Sequence, residues 1–210
     1  MNAVSPLTLN RLNVLTPVQL VDYQKRYLQS LLREDAGKPD AELLLIKNPS
    51  PTNSLHLWLR IFPELKVIIG LRDPRDVLIS CFFQKQMLNP TNVNFLSMER
   101  TLKHFADLMD VWLRLRDLEG FDWIEARYED TIINLESEGR RITEFLGLPW
   151  HSSQSEFHVA ASQKFVFAPT YHDVTRPVYS GAVGRWKHYQ AAFAPIEQRL
   201  AEYCHQLGYA

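Results

Sequence analysis

No apolar run in these 210 residues approaches the roughly 20 needed to cross a bilayer. The first dozen residues lack the basic start and apolar core of a secretory leader. An excess of one charge is missing too: 23 Lys and Arg stand against 24 Asp and Glu, for a net charge of -1. That balance argues against a general nucleic-acid or membrane-surface binder, which would carry a basic excess. Cysteine is scarce. Cys81 and Cys204 cannot build a disulfide framework and have no metal-ligand spacing, so they read as buried or incidental thiols of a reducing, cytoplasmic protein. None of the seven histidines pairs with another at ligand spacing. Gly-x-Ser-x-Gly, His-Glu-x-x-His, paired Cys-x-x-Cys and Walker motifs are all absent. An anion site, if present, must be a local cluster.

Such a cluster lies in residues 66–84. A short apolar run (Val67, Ile68, Ile69, Leu71) stops at Arg72-Asp73-Pro74-Arg75-Asp76 and resumes as an amphipathic helix from Pro74 to about residue 86. A strand buried on both faces and followed at once by a helix is the βα unit of a parallel sheet. Ligands of such sheets sit beyond the carboxyl ends of the strands, where Arg72, Asp73, Arg75 and Ser80 fall. Two guanidiniums there point to an anion, because the fork of arginine donors matches phosphate.

The same alternation runs along the rest of the chain. A helix is expected over 16–33, with Pro17 at its first position and a weak capping box between Thr16 and Gln19. A buried strand is expected over 42–46, a helix over 53–62, and a long amphipathic helix over 97–118 carrying Leu102, Phe105 and Trp112. A third strand spans 122–127, a helix 135–146 closed by Gly147 and Pro149, and a last helix 195–207. Residues 87–95 and 169–185 read as loops, and 151–167 as one short helix and a loop. The sequence is therefore expected to form a single α/β domain over 1–210, a parallel sheet flanked by helices.

Each strand ends in residues that suit phosphate: Lys47, Arg72, and Arg127 with Tyr128. Ser80 lies about two helical turns beyond Arg72, so both can approach one phosphate if the chain folds back at Asp73-Pro74. Each residue also has a structural reading. Lys47 can be a solvated loop residue, and Arg72 to Asp76 a charge-balanced cap with Asp73 as N-cap. Tyr128 can simply pack on its own helix. The segment 181–187 combines glycines, whose neighbouring amides can approach an anion, with Arg185, Lys187 and a Trp186 ring able to stack on a base. Its alternative is an ordinary loop into a Trp-anchored helix.

Taken in order, the motifs resemble sulfotransferases that use 3'-phosphoadenylyl sulfate (PAPS). The resemblance rests on Lys47-Asn48-Pro49, Phe62-Pro63-Glu64-Leu65, Leu71-Arg72-Asp73-Pro74-Arg75-Asp76 with Ser80, Arg127-Tyr128-Glu129-Asp130, Phe145-Leu146-Gly147-Leu148-Pro149, Thr170-Tyr171 and Gly184-Arg185-Trp186. The likeness is greatest to bacterial enzymes of the tyrosylprotein-sulfotransferase type, and it implies a fold like that of the P-loop NTPases. It further implies that Arg72 and Ser80 hold the 3'-phosphate and that Lys47 faces the phosphosulfate bridge. Tyr128, Thr170, Arg185 and Trp186 would contact the nucleotide, and the acceptor would be a hydroxyl of a peptide, saccharide or small molecule. Neither nucleic acid nor membrane is an expected partner, and oligomer formation stays open. The family's opening strand and glycine-containing phosphosulfate loop have no counterpart in the sequence. On the family pattern that strand lies between those matching 67–71 and 122–127, so a shortened product with two strands lacking a neighbour is expected. The family's general base has no match either: the position two after the lysine is Pro49. A rival reading follows, a non-catalytic remnant that binds adenosine 3',5'-bisphosphate or serves only as an interaction domain.

Overall fold

The computed structural model describes residues 6–33, 43–47, 50–84, 89–162 and 175–209. The chain divides into two compact units, one of residues 1–65 and 107–122, the other of 66–106 and 123–210.

In the first unit, α1 (Pro6–Asn13) and α2 (Pro17–Arg33) come first, then α3 (Leu55–Ile61) after a 3-10 turn at Ser50–Ser54. Helix α2 starts where its cap was expected. The Thr16 amide donates to Gln19 Oε1 at 2.9 Å and the Gln19 amide to Thr16 Oγ1 at 3.3 Å, a reciprocal capping box. Its Tyr27 ring packs edge-on against Trp58 and Phe62, with centroids 5.0 and 5.7 Å away. Gln24 Nε2 donates to the Ile61 carbonyl at 2.6 Å, satisfying an orphan acceptor at the end of α3. The strand expected over 42–46 does not form. Residues 43–47 take no regular structure, and Leu43, Leu44, Leu45 and Ile46 are 39, 39, 69 and 48% exposed. An apolar run becomes a strand only against a partner's ladder, and the described residues supply none here.

The second unit is built on β1 (Val67–Leu71), α4 (Pro74–Phe83), β2 (Trp123–Arg127), α6 (Tyr128–Ile133), α7 (Leu135–Leu146), α8 (Phe157–Ser162) and α9 (Glu197–Gln206). Helix α5 (Met98–Leu115) gives its first half to this unit and its second half to the first. Met98, Leu102, Ala106 and Trp112 are buried along α5, the stripe that its periodicity marks. Strands β1 and β2 pair in parallel, Val67 opposite Trp123 through to Leu71 opposite Arg127. The expected gap between them is therefore absent: with no chain between them, the facing edges satisfy their amides on each other. Burial also departs from expectation. Val67, Ile69 and Leu71 are buried while Ile68 is half-buried and Gly70 exposed, the alternation of a sheet closed on one face.

Leu78 and Ile79 fix α4 in the core, where α9 and a 3-10 segment, Arg185–Ile196, pack on it; Phe193, Ile196, Leu200 and Cys204 of these two elements are buried. Helix α7 has the expected bounds, capped by the Asn134 side chain at its start and by Gly147, at φ +76°, at its end. The last helix starts at Glu197, two residues later than expected, because the chain through Pro195 stays in 3-10 turns. Residues Tyr128–Ile133 form a short helix, α6, between β2 and α7.

Candidate functional site

The strand register sets up the site. Leu71 and Arg127 are level, so the next residues on the two strands, Arg72 and Tyr128, meet at the carboxyl end of the sheet. The Arg72 guanidinium lies over the Tyr128 ring, 4.7 Å from its centroid. Its Nη2 donates to the Ala182 carbonyl and stands 4.0 Å from Asp76 Oδ2. Its Nε is buried and has no hydrogen-bond partner among the described residues. The ring stack and the bond to Ala182 hold the guanidinium in place, with 19% of the side chain left exposed. Arg72 also reaches along α4. Burial pushes the Cys81 thiol up to about 11 from its ordinary 9.0, and the charge of Arg72 opposes that rise. Ser80, next to Cys81 on α4, is half-buried.

Asp73 does cap α4. Its Oδ1 accepts from the Arg75 amide at 2.9 Å and Nε at 2.8 Å, and its Oδ2 from Arg75 Nη2 at 2.8 Å. The capping reading of this cluster holds: Asp73 and Arg75 form the balanced cap. Arg75 also donates to the Tyr209 carbonyl at 2.7 Å and lies over the Trp186 ring at 4.0 Å. One face of the ring expected to stack on a base is thus covered by Arg75.

The loop at 181–187 meets an anion, but an internal one. Asp76, fully buried on α4, accepts from the Gly184 amide at 2.6 Å and the Trp186 amide at 2.9 Å. Gly184 makes the turn possible at φ +72°, a conformation that side chains disfavour. Arg185, between those two amides, remains exposed.

Two residues of this network, Glu129 and Tyr209, were not singled out from the sequence, whereas Arg127 was named at its strand tip. Glu129 Oε1 accepts from the Asp73 amide at 2.9 Å and Oε2 from the Tyr209 hydroxyl at 3.0 Å. Arg127 Nη2 donates to the Leu207 carbonyl at 2.8 Å and its guanidinium lies over the Tyr209 ring at 4.7 Å. Together they bind the C-terminal residues 207–209 to both strand tips. Burial and the Glu129 carboxylate hold the Tyr209 phenol well above the usual tyrosine range. Glu129 stood in the Arg-Tyr-Glu-Asp motif and was legible as polar; Tyr209 carried no signal.

The structure brings Arg72 and Tyr128 together and ties Gly184 and Trp186 to the same helix through Asp76. Lys47 lies in the first unit, exposed at the end of 43–47. Thr170 falls outside the described residues. Among the described residues no group of three His, Cys, Asp or Glu side chains could hold a metal ion, and no helix is long and apolar enough to cross a membrane.

An uncharacterized protein of Aquifex aeolicus (strain VF5) is 24% identical over 195 residues, 89% of this chain and 25% of that protein. Sulfotransferase 2B1 of Mus musculus is 31% identical over 121 residues, 50% of this chain and 35% of the mouse protein. The chain thus spans between a quarter and about a third of the length of these relatives. A model of the sulfotransferase family matches residues 10–152, which takes in the Arg72 motif, Ser80 and the Tyr128 turn. On that match, this chain belongs to the sulfotransferase family.

Proposed function

We propose that the chain acts as one domain that transfers a sulfuryl group from PAPS to a hydroxyl of an acceptor. The observation that carries this reading is Arg72: half-buried at the strand tip, stacked on Tyr128, with 19% of its side chain exposed and a buried Nε that no described residue satisfies. An unmet guanidinium donor beside a serine-bearing helix fits the oxygens of a phosphate. In this reading Arg72 and Ser80 hold the 3'-phosphate, while Tyr128, Arg185 and Trp186 border the nucleotide. PAPS supplies the activated sulfuryl group. By family likeness Lys47 is the cation that stabilises charge developing on the leaving group, and Thr170 is a further nucleotide contact. The acceptor, whether peptide, saccharide or small molecule, is chosen elsewhere than at these residues.

A second reading draws on a different observation. The Gly184 and Trp186 amides, which could have served a ligand, are already spent on Asp76. A protein that only binds adenosine 3',5'-bisphosphate, or only partners, would tolerate that. Calorimetric titration with adenosine 3',5'-bisphosphate separates the alternatives. Arg72→Ala should weaken binding roughly 10- to 100-fold, the worth of one or two charge-assisted bonds. Lys47→Ala should leave affinity unchanged and lower PAPS turnover in the presence of phenolic, sugar and peptide acceptors. Equal affinity in wild type and Arg72→Ala would remove the nucleotide site. Binding without turnover by any acceptor would favour the second reading.

A further inference from the structure

Asp76 is the most completely buried charge in the second unit's described residues, and nothing about nucleotide binding requires an acid there. At 1% exposure it must be compensated, and its compensation is specific: two backbone amides at 2.6 and 2.9 Å and the Arg72 guanidinium 4.0 Å away. The two amides belong to Gly184 and Trp186, so the residue they flank, Arg185, is fixed relative to α4 by this one carboxylate. The Nη2 of Arg72 that faces Asp76 donates to Ala182 on the same loop. One side chain therefore sets the backbone that carries Arg185 and the guanidinium of Arg72. Within the loop the backbone bonds are local, Val183 amide to Ser180 carbonyl at 2.9 Å and Lys187 amide to Gly184 carbonyl at 3.1 Å, Gly184 sits at φ +72°, and the 3-10 segment that follows is broken at Tyr189. Without an acceptor between them, the two amides would turn to water and the turn would lose its reason to close on α4.

We propose that Asp76 is the positioning residue of the phosphate pocket, holding Arg185 in register with Arg72 so that both cations address the same 3'-phosphate. The assignment rests on the nucleotide reading above and adds to it a division of labour. Arg72 and Arg185 bind, and Asp76, touching no ligand, decides whether they converge. The arrangement also accounts for an acid beside an anion site. Its charge is consumed by amides and one arginine, so it stiffens the pocket without cancelling the free charge of Arg185.

The test compares adenosine 3',5'-bisphosphate with adenosine 5'-monophosphate, two ligands that differ only in the 3'-phosphate, by titration calorimetry on the full chain. Asp76→Asn keeps the size but places an amide NH2 against a backbone donor and removes the charge facing Arg72. The expected result is a fall in the bisphosphate-to-monophosphate preference of about tenfold or more, the size of one misplaced charge-assisted bond, with monophosphate affinity nearly unchanged. Loss of fold alone would weaken both ligands alike. In an Arg185→Ala background the same substitution should cost much less, because the residue it positions is gone. Should Asp76→Asn fail to fold, Gly184→Ala disturbs the same turn with Asp76 intact and should lower the preference in the same way. A folded Asp76→Asn or Gly184→Ala protein that keeps the wild-type preference overturns the assignment while leaving the nucleotide site standing. A wild type with no preference for the bisphosphate removes both.

Discussion

On the proposed reading, in which a phosphate binds Arg72, Cys81 should report its arrival. Burial raises its thiol to about 11 and Arg72 pulls it down, so anything that neutralises Arg72 lets it rise further. Thiolate is the reactive form, and iodoacetamide labelling at pH 8 should be slow in the free protein. It should be slower still with adenosine 3',5'-bisphosphate bound, and in Arg72→Ala without any ligand. Labelling that speeds up with ligand would show that the phosphate does not sit on Arg72. The same shift bears on stability. A thiol that holds its proton more tightly when folded stabilises the fold fully below pH 9, its ordinary value, and loses that contribution as pH climbs towards 11. Tyr209 shifts in the same direction. Denaturant midpoints measured from pH 8 to 11 should therefore fall, with a shallower slope in Cys81→Ala. The candidate site was legible at this scale wherever a residue stands at a strand tip, as Arg72 and Tyr128 do. It was not legible where the partner is remote: Asp76 meets Gly184 across 108 positions and Glu129 meets Tyr209 across 80. An acid in a charge-balanced run looks like a solvated cap until the loop that buries it is in place.

Among the helices, α7 carries a residue that propensity alone would remove. Gly139 lies within Leu135–Leu146, where glycine costs about 1 kcal/mol relative to alanine. Its missing Cβ is where the Trp150 ring lies, and a methyl there would run into that ring. Arg140, the next residue, places its guanidinium 5.7 Å from the same ring centroid. Gly139→Ala should consequently destabilise the protein by roughly 1–3 kcal/mol, the usual range for overpacking, rather than stabilise it. A raised midpoint in urea would mean that Trp150 swings away at no cost. Two apolar runs show where legibility at this scale ends. Residues 67–71 (Val-Ile-Ile-Gly-Leu) and 43–46 (Leu-Leu-Leu-Ile) are both short apolar runs that end at a basic residue. The first became β1 because β2 lies alongside it in register; the second found no ladder among the described residues and stayed exposed. The sequence records that a segment can be a strand, whereas the neighbour that makes it one is a property of the assembled chain. Helix starts, set by local side-chain-to-backbone bonds at Thr16, Asp73 and Asn134, were readable without that information.

For the chain as a whole, the exposed run matters more than any single contact. Leu43 to Ile46 present four consecutive exposed apolar side chains with no strand pairing among the described residues, the combination that native edges normally blunt with charge or proline. In the second unit the sheet has two strands, so β1 and β2 each have an outer edge with no strand partner among the described residues. Both features invite association between copies of the chain. Sedimentation velocity over a wide concentration range should show the average mass of the wild type rising with concentration. Leu45, at 69% exposure, is the position where a charge costs the fold least. Leu45→Lys should move the distribution towards monomer and leave the melting temperature within a degree or two, since exposed substitutions usually change stability by about 0.5 kcal/mol or less. If wild type stays monomeric to high concentration and melts in one sharp, reversible step, the run is covered in solution. A drop in melting temperature for Leu45→Lys would then show that the cover comes from the chain itself.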